Sequence, residues 1–237
     1  MLDIHAHILP GVDDGAVNEV MTIEMLKAAR RAGIDRIVAT SHVTRNQSIE
    51  RCQAAGGHQR DNAKEHGILL MSGCELSVSV LAGVRISPEV LTPFQIGQTQ
   101  FILLEFPNDV PPVDWEYLVS DIKRVGFHAI IAHPERCRYI ARDFSMAKDL
   151  ISYGCELQLD AQSFLGGRFS SERRTASRLL DGGLASYIAS DAHRPGDYDT
   201  FQAVRRHLGD HWPADGLLEE LIMTAIPSVE RDIAGEP

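Results

Sequence analysis

Thiolate pairs are missing from this chain. Its four cysteines, Cys52, Cys74, Cys137 and Cys155, form no C-x-x-C pair, which argues against a thiolate zinc site. No cysteine is followed six positions later by an arginine, so a cysteine phosphatase loop is absent. Long apolar runs are missing too. Nothing approaches the roughly 18 residues of a spanning helix, and Met1 leads straight into Leu-Asp-Ile-His without the basic start of a signal peptide. No membrane insertion is expected, and reduced thiols fit the cytoplasm. Positive charge is scarce: 23 Lys and Arg stand against 33 Asp and Glu, a net charge of -10 with the histidines neutral. Such a chain is a poor partner for nucleic acid or an anionic membrane. The surplus of carboxylates suits bound divalent cations instead. Low-complexity stretches and interdomain linkers are also lacking, so the 237 residues are expected to form one domain, 1–237.

What is present is a repeat of one pattern. A short apolar, β-branched run ends in an ionisable residue, and a helical stretch often follows. The runs are Leu2–His7, Ile34–His42, Ile68–Glu75, Phe101–Glu105, Ala129–His133, Leu157–Asp160 and Tyr187–Asp191. They recur on the order of every 30 residues, the size of a βα unit. Met21, Met25, Ala28 and Ala32 have helical spacing before Gly33, and Trp115, Leu118, Val119 and Ile122 repeat it before Gly126. Further helices are expected from Ser170 to Leu180 and from Gly216 to Ala225. The fold class expected is α/β, a distorted seven-stranded TIM-like barrel. Its active site would lie at the carboxyl ends of the strands. An open doubly wound sheet is the alternative, and it would not bring seven strand ends to one point.

The ionisable residues fall at those ends. His5 and His7 are two apart on a strand and face the same way. Asp13 and Asp14 follow in a Gly-Val-Asp-Asp-Gly turn, where Asp and Gly also serve simply to make the turn. His42, Glu75, Glu105 and His133 close the next runs, and Asp191-Ala-His193 closes the last, mirroring the first. A carboxylate directly after an apolar run is costly to bury unpaired. A cation resolves the cost, and a rim salt bridge is the plainer solution. Arg136, three residues after His133, could reach back over the mouth, where a guanidinium would fork onto phosphate. Asp160 is expected in a rim hydrogen bond or ion pair. Nitrogen and oxygen donors without sulfur suit Mn²⁺, Fe²⁺, Zn²⁺ or Mg²⁺. The set is too large for one ion, so two or three are expected.

These motifs resemble the PHP (polymerase and histidinol phosphatase) family, and within it the manganese-dependent tyrosine phosphatases of bacterial capsule and exopolysaccharide gene clusters. The matching stretches are Asp3-Ile-His-Ala-His-Ile-Leu-Pro-Gly-Val-Asp-Asp-Gly15, Ala39-Thr-Ser-His42, Gly73-Cys-Glu75, Leu104-Glu-Phe-Pro107, Ile131-Ala-His-Pro-Glu-Arg136 and Ala189-Ser-Asp-Ala-His193. The resemblance implies a PHP-type barrel with a trinuclear metal site, Mn²⁺ being the expected ion. By it, His5, His7, Glu75 and Asp191 would hold one ion, Glu75, Glu105 and His133 the second, and Asp14, His42 and His193 the third. Asp13 competes with Asp14 for its role. Arg136 would bind phosphate, and His42 or His193 could assist proton transfer. The implied reaction is hydrolysis of a phosphomonoester by a metal-activated hydroxide. The implied substrate is a phosphotyrosine protein, the tyrosine-rich tail of a polysaccharide-assembly tyrosine kinase. The sequence departs from the family pattern after His42 and after His193, where Arg194 and Arg45 are the candidates to replace a second phosphate-binding arginine.

Other readings fit less well. Histidinol phosphatase, or another small-molecule phosphatase of the same family, stays open. A TatD-like metal-dependent deoxyribonuclease would share H-x-H and a late Asp, but not His42, the Asp191/His193 pair or the acidic charge. A hydrolase of C–N bonds often uses a carboxylated lysine at a strand end, and none of the runs here ends in lysine. A non-catalytic domain with a decayed site would not retain every ligand type.

Overall fold

The computed structural model describes residues 1–45, 49–167 and 169–213, together with Leu218, Leu221 and Ile222. The strands are β1 (Leu2–Ala6), β2 (Arg36–Ala39), β3 (His42–Val43), β4 (Leu69–Ser72), β5 (Glu75–Ser77), β6 (Phe101–Glu105), β7 (His128–Ala132), β8 (Glu156–Asp160) and β9 (Tyr187–Ala189). The helices are α1 (Glu19–Arg31), α2 (Ile49–Glu65), α3 (Pro88–Leu91), α4 (Trp115–Arg124), α5 (Arg138–Arg142), α6 (Ser145–Ser152), α7 (Ser171–Asp181) and α8 (Pro195–Leu208). Every apolar run of the sequence contributes a strand. The helix expected over 216–225 lies largely outside the described residues.

All strand pairs are parallel, as crossover connections through helices require. They form two sheets, ordered β1-β2-β4 and β3-β5-β6-β7-β8-β9, rather than the single ring of seven strands expected from the sequence. The difference has a local cause. Two of the runs break just before their final ionisable residue, at Thr40–Ser41 and at Gly73–Cys74, so β2 resumes as β3 and β4 resumes as β5. At the second break a Cβ on Gly73 would stand 2.6 Å from Val38 Cγ1, so only glycine lets the two strands approach there. The first and last strands touch through one isolated bridge, Ala6 to Ala192.

The helices form for ordinary reasons. In α1, Asn18 Oδ1 accepts the Met21 N–H at 3.0 Å, Met25, Leu26, Ala28 and Ala29 are buried, and Gly33 takes φ +86° just past the end. In α7, Ser170 Oγ caps the first turn and Thr175, Ala176 and Leu179 face inward.

Alternation along the strands divides the core. Ile102 and Leu104 of β6, Ala129 and Ile131 of β7, and Leu157 and Leu159 of β8 pack under the helices. Phe101, Leu103, Ile130, Ala132, Ile4, Val38 and Ala189 form a second, inner cluster. Two residues beyond Leu103 on the same face comes Glu105, and on the inner face of β8 lies Gln158. The inner apolar plug thus ends in a polar layer at the carboxyl ends of the strands.

Candidate metal centre

The nine ligands implied by resemblance and Arg136 converge on that layer. Three groups of donor atoms, each group lying within 4.8 Å of one another, can be drawn: His5, His7, Glu75 and Asp191; His7, Asp14, His42 and His193; and His42, Glu75 and Glu105. Of the three sets implied by resemblance, the first recurs whole. The third recurs with His7 added. The second is met in part. His133 does not share a group with Glu105, but its Nε2 lies 2.6 Å from Glu75 Oε1, the other oxygen of the same carboxylate.

The first group is fully enclosed. His5 and His7 are 0% exposed, Glu75 1% and Asp191 2%. His5 Nε2 stands 3.1 Å from His7 Nε2, 3.2 Å from Glu75 Oε2 and 3.3 Å from Asp191 Oδ1. His7 Nε2 stands 3.3 Å from each of those oxygens. Among the described residues neither oxygen has a hydrogen bond of good geometry. Donors bonded to a common ion at about 2.0–2.2 Å stand roughly 3.0–3.5 Å apart. The spacing is therefore that of ligands around a shared cation, and the chemistry of the donors, two imidazoles and two carboxylates, fits one.

The far sides of the imidazoles are fixed by other groups. His5 Nδ1 pairs with Gln158 Oε1 at 2.8 Å, and His7 Nδ1 with Asp13 Oδ2 at 2.7 Å. His193 Nδ1 donates to its own strand end, the Asp191 carbonyl, at 2.8 Å. Each contact leaves the Nε2 lone pair turned toward the cluster, the arrangement that orients metal-ligating histidines. Asp13 is thereby separated from Asp14. Asp13 also accepts the backbone N–H of Gly15 and of His42, whereas Asp14 Oδ1 faces His42 Nε2 at 3.5 Å and His193 Nε2 at 3.4 Å. Asp14 is 71% exposed and His42 and His193 are half-buried, so the cluster runs from a closed floor to an open rim.

Charge in the cluster is organised around the carboxylates. Burial opposes the ionised form of Asp191, but His5, His7 and Arg136 outweigh it and hold its carboxyl well below the usual range. Glu75 behaves likewise, burial being overcome by His5 and His133. Burial disfavours the His5 imidazolium, yet Glu75 and Asp191 push it up to about 9. Glu105 is raised, by burial and by Glu75. The field draws positive charge inward, whether protons or cations.

Arg136 does more than face the mouth. Its Nη2 donates to Asp160 Oδ2 at 2.5 Å and to Asp191 Oδ2 at 2.6 Å, with 30% of the side chain exposed. Asp160 thus sits in the rim ion pair expected of it. Of the two other arginines considered, Arg45 Nε donates to the Ser79 carbonyl, and Arg194, 74% exposed, pairs with Asp197. Two strand ends turn sharply: His133 has φ +32° and Asp191 φ +47°. Such left-handed turns cost non-glycine residues about 1–3 kcal/mol each and gather at functional sites. Sequence reasoning missed Gln158 and the orienting role of Asp13. Gln158 stands two residues before Asp160 on one strand face, a spacing that could have revealed it.

Parallel strands whose carboxyl ends gather buried imidazoles and carboxylates at ligand spacing define a class, the α/β proteins with a candidate metal site at the strand ends. Residues 1–210 match the family model for capsular polysaccharide synthesis proteins CpsB/CapC, and the chain belongs to that family. Tyrosine-protein phosphatase YwqE of Bacillus subtilis is 36% identical over 206 residues, 81% of this chain and 77% of its own. Tyrosine-protein phosphatase CpsB of Streptococcus agalactiae is 25% identical over 210 residues, 81% of this chain and 83% of its own. A solved structure from the pair YwqE and Streptococcus pneumoniae CpsB, named unique metal-dependent tyrosine phosphatases, aligns with TM-score 0.71 at 28% identity, over 94% of this chain and 92% of that one. A phosphotriesterase homology protein of Escherichia coli, 10% identical, aligns over 98% of this chain and 94% of its own with TM-score 0.50, a likeness of fold alone.

Proposed function

We propose that this chain is a metal-dependent phosphomonoesterase that removes phosphate from protein tyrosine, acting on the tyrosine-rich tail of a polysaccharide-assembly tyrosine kinase. Mn²⁺ is the proposed native ion, two or three per chain, and the cytoplasm the proposed compartment. The observation that carries the reading is the ring of buried donors, His5, His7, Glu75 and Asp191, with the two imidazoles 3.1 Å apart and each 3.2–3.3 Å from both carboxylates. The activity named for YwqE and CpsB supports it. We further propose that the two sheets are arcs of one distorted seven-stranded barrel forming a single domain. The continuation of β2 into β3 and of β4 into β5, and the Ala6–Ala192 bridge, support the barrel. Leu218 and Ile222 pack in the same inner cluster as Ile4 and Phe101, which supports a single domain.

In this reading His5, His7, Glu75 and Asp191 hold the deep ion, Glu75, Glu105 and His133 the second, and Asp14, His42 and His193 the outer one. Divalent cations supply Lewis acidity and lower the pKa of water. The protein's own groups do the rest. Arg136 spends one nitrogen on Asp160 and Asp191, leaving its remaining N–H groups to take a phosphoryl oxygen as charge builds there. The half-buried His42 and His193 flank the entrance with Nε2 turned to Asp14, so as ligands of the outer ion they are not free to protonate the departing tyrosinate. That group, of parent pKa about 10, needs little assistance.

The test is turnover by chelated and Mn²⁺-reconstituted protein of three substrates: a phosphotyrosine peptide from such a kinase tail, histidinol phosphate and single-stranded DNA. Metal-dependent turnover that favours the peptide is expected. Preference for histidinol phosphate or DNA would overturn the substrate, and equal activity after chelation would overturn the mechanism.

A further inference from the structure

The strands that carry the deep donors meet without a ladder. β1 brings His5 and His7, the end of β9 brings Asp191, and among the described residues two backbone bonds tie them at the Ala6–Ala192 bridge. Asp191 N–H donates to the His5 carbonyl at 2.9 Å, and His7 N–H to the Ala192 carbonyl at 2.8 Å. Beneath this seam lies a carboxylate with no part in the cluster. Asp3 is 0% exposed, and its oxygens cross from β1 to the turn after β9. Oδ2 accepts the Ser190 hydroxyl at 2.6 Å, and Oδ1 accepts the Ser190 N–H at 3.0 Å. Ser190 Oγ in turn accepts the Ala192 N–H at 3.1 Å. One side chain on β1 thus organises the backbone on both sides of Asp191, the residue held at φ +47°. A buried carboxylate is retained in an apolar strand only where its lone pairs are used; here they take the Ser190 hydroxyl and N–H across the seam and, at 3.5 Å, the nearby His5 N–H.

We propose that Asp3 is a positioning residue for the metal centre. Through Ser190 it clasps β1 to the Asp191 turn and so fixes His5 Nε2 and Asp191 Oδ1 as donors to one deep ion. The inference rests on the ligand roles proposed above. Asp3→Ala strands the Ser190 N–H and frees the turn. Asp3→Asn keeps one oxygen for that N–H, and the serine hydroxyl can turn over to accept from the amide nitrogen. Ser190→Ala removes the hydroxyl and leaves Asp3 in place.

The experiment is Mn²⁺ titration of the three full-length variants against a chromophoric chelator, with thermal unfolding in EDTA and kcat and KM on p-nitrophenyl phosphate. The tightest ion is expected to bind about 10–100-fold more weakly in Asp3→Ala and in Ser190→Ala. Asp3→Asn is expected to recover most of the loss, kcat to fall in step with affinity, and KM to hold. Wild-type affinity in Asp3→Ala alongside a lowered metal-free Tm would overturn the inference, leaving a purely structural role. Damage by Asp3→Asn equal to that by Asp3→Ala would overturn it as well. Should Asp3→Ala fail to fold, Ser190→Ala decides: weakened deep-ion binding upholds the clasp, and unchanged binding sinks it. Wild-type protein that binds no ion would remove the ligand reading and the clasp together, whereas tight wild-type binding with unaffected variants removes the clasp alone.

Discussion

Asp13 ties two candidate ligands into one register. Its Oδ2 receives both His7 Nδ1 and the His42 backbone N–H, while Oδ1 receives Gly15 N–H. Removing it frees the His7 ring and the loop that carries His42. Asp13→Ala is expected to lower metal affinity by about 10–100-fold with the fold retained, as measured by equilibrium metal binding and circular dichroism. Arg136 offers a second test. A lysine ammonium cannot bridge Asp160 and Asp191 and still present a planar fork to phosphate. Arg136→Lys should therefore lower kcat/KM on an aryl phosphate by about 10²-fold or more, and unchanged kinetics would remove the residue from the site. The sequence could nominate both Asp13 and Asp14 but not order them. Neighbouring residues of a tight turn point apart, and which one meets His7 depends on where His42 arrives from another strand.

Glycines at close approaches and glycines in open helix separate the elements cleanly. Gly73→Ala would drive a Cβ into Val38 Cγ1 at the β4–β5 break, and overpacking of this kind costs about 1–3 kcal/mol. In α2 a Cβ on Gly57 meets nothing within 4 Å, so Gly57→Ala should stabilise by about 0.5–1 kcal/mol. Paired thermal melts check both signs. Glycines at helix ends explain part of what was legible. The strands could be read because each apolar run is β-branched and ends in a charge, and α1, α4 and α7 because their buried stripes stop at glycine. Helix α2 could not: Gly56-Gly57 at its middle reads as a breaker, and its buried residues, Cys52, Gln59 and Ala63, make too sparse a stripe to be read. The breaks within two of the runs were hidden for a related reason. Thr40–Ser41 and Gly73–Cys74 look like continuing strand, and only the neighbouring backbone shows that they leave the ladder.

Across the whole molecule, charge and burial set how stability and activity respond to conditions. Cys155, in the turn between α6 and β8, has its thiol pushed up to about 12 by burial, against an ordinary value of 9.0 and an opposing pull from Lys123. The folded state therefore prefers the neutral thiol. That preference is fully present below the unfolded value and is lost as pH rises from about 9 toward about 12, by up to about 1.4 kcal/mol per pH unit. Denaturant melts across that range should show the loss, and Cys155→Ala should flatten the slope. The central claim concerns the site: these imidazoles and carboxylates share divalent cations. It is tested most directly by the metal content of protein stripped with chelator and then equilibrated with Mn²⁺, wild type beside the double variant His5→Ala/Asp191→Ala. Two or three ions per wild-type chain are expected, with loss of at least the deep ion from the variant. Wild type holding only a substoichiometric trace, or a variant holding the full complement, would contradict the claim.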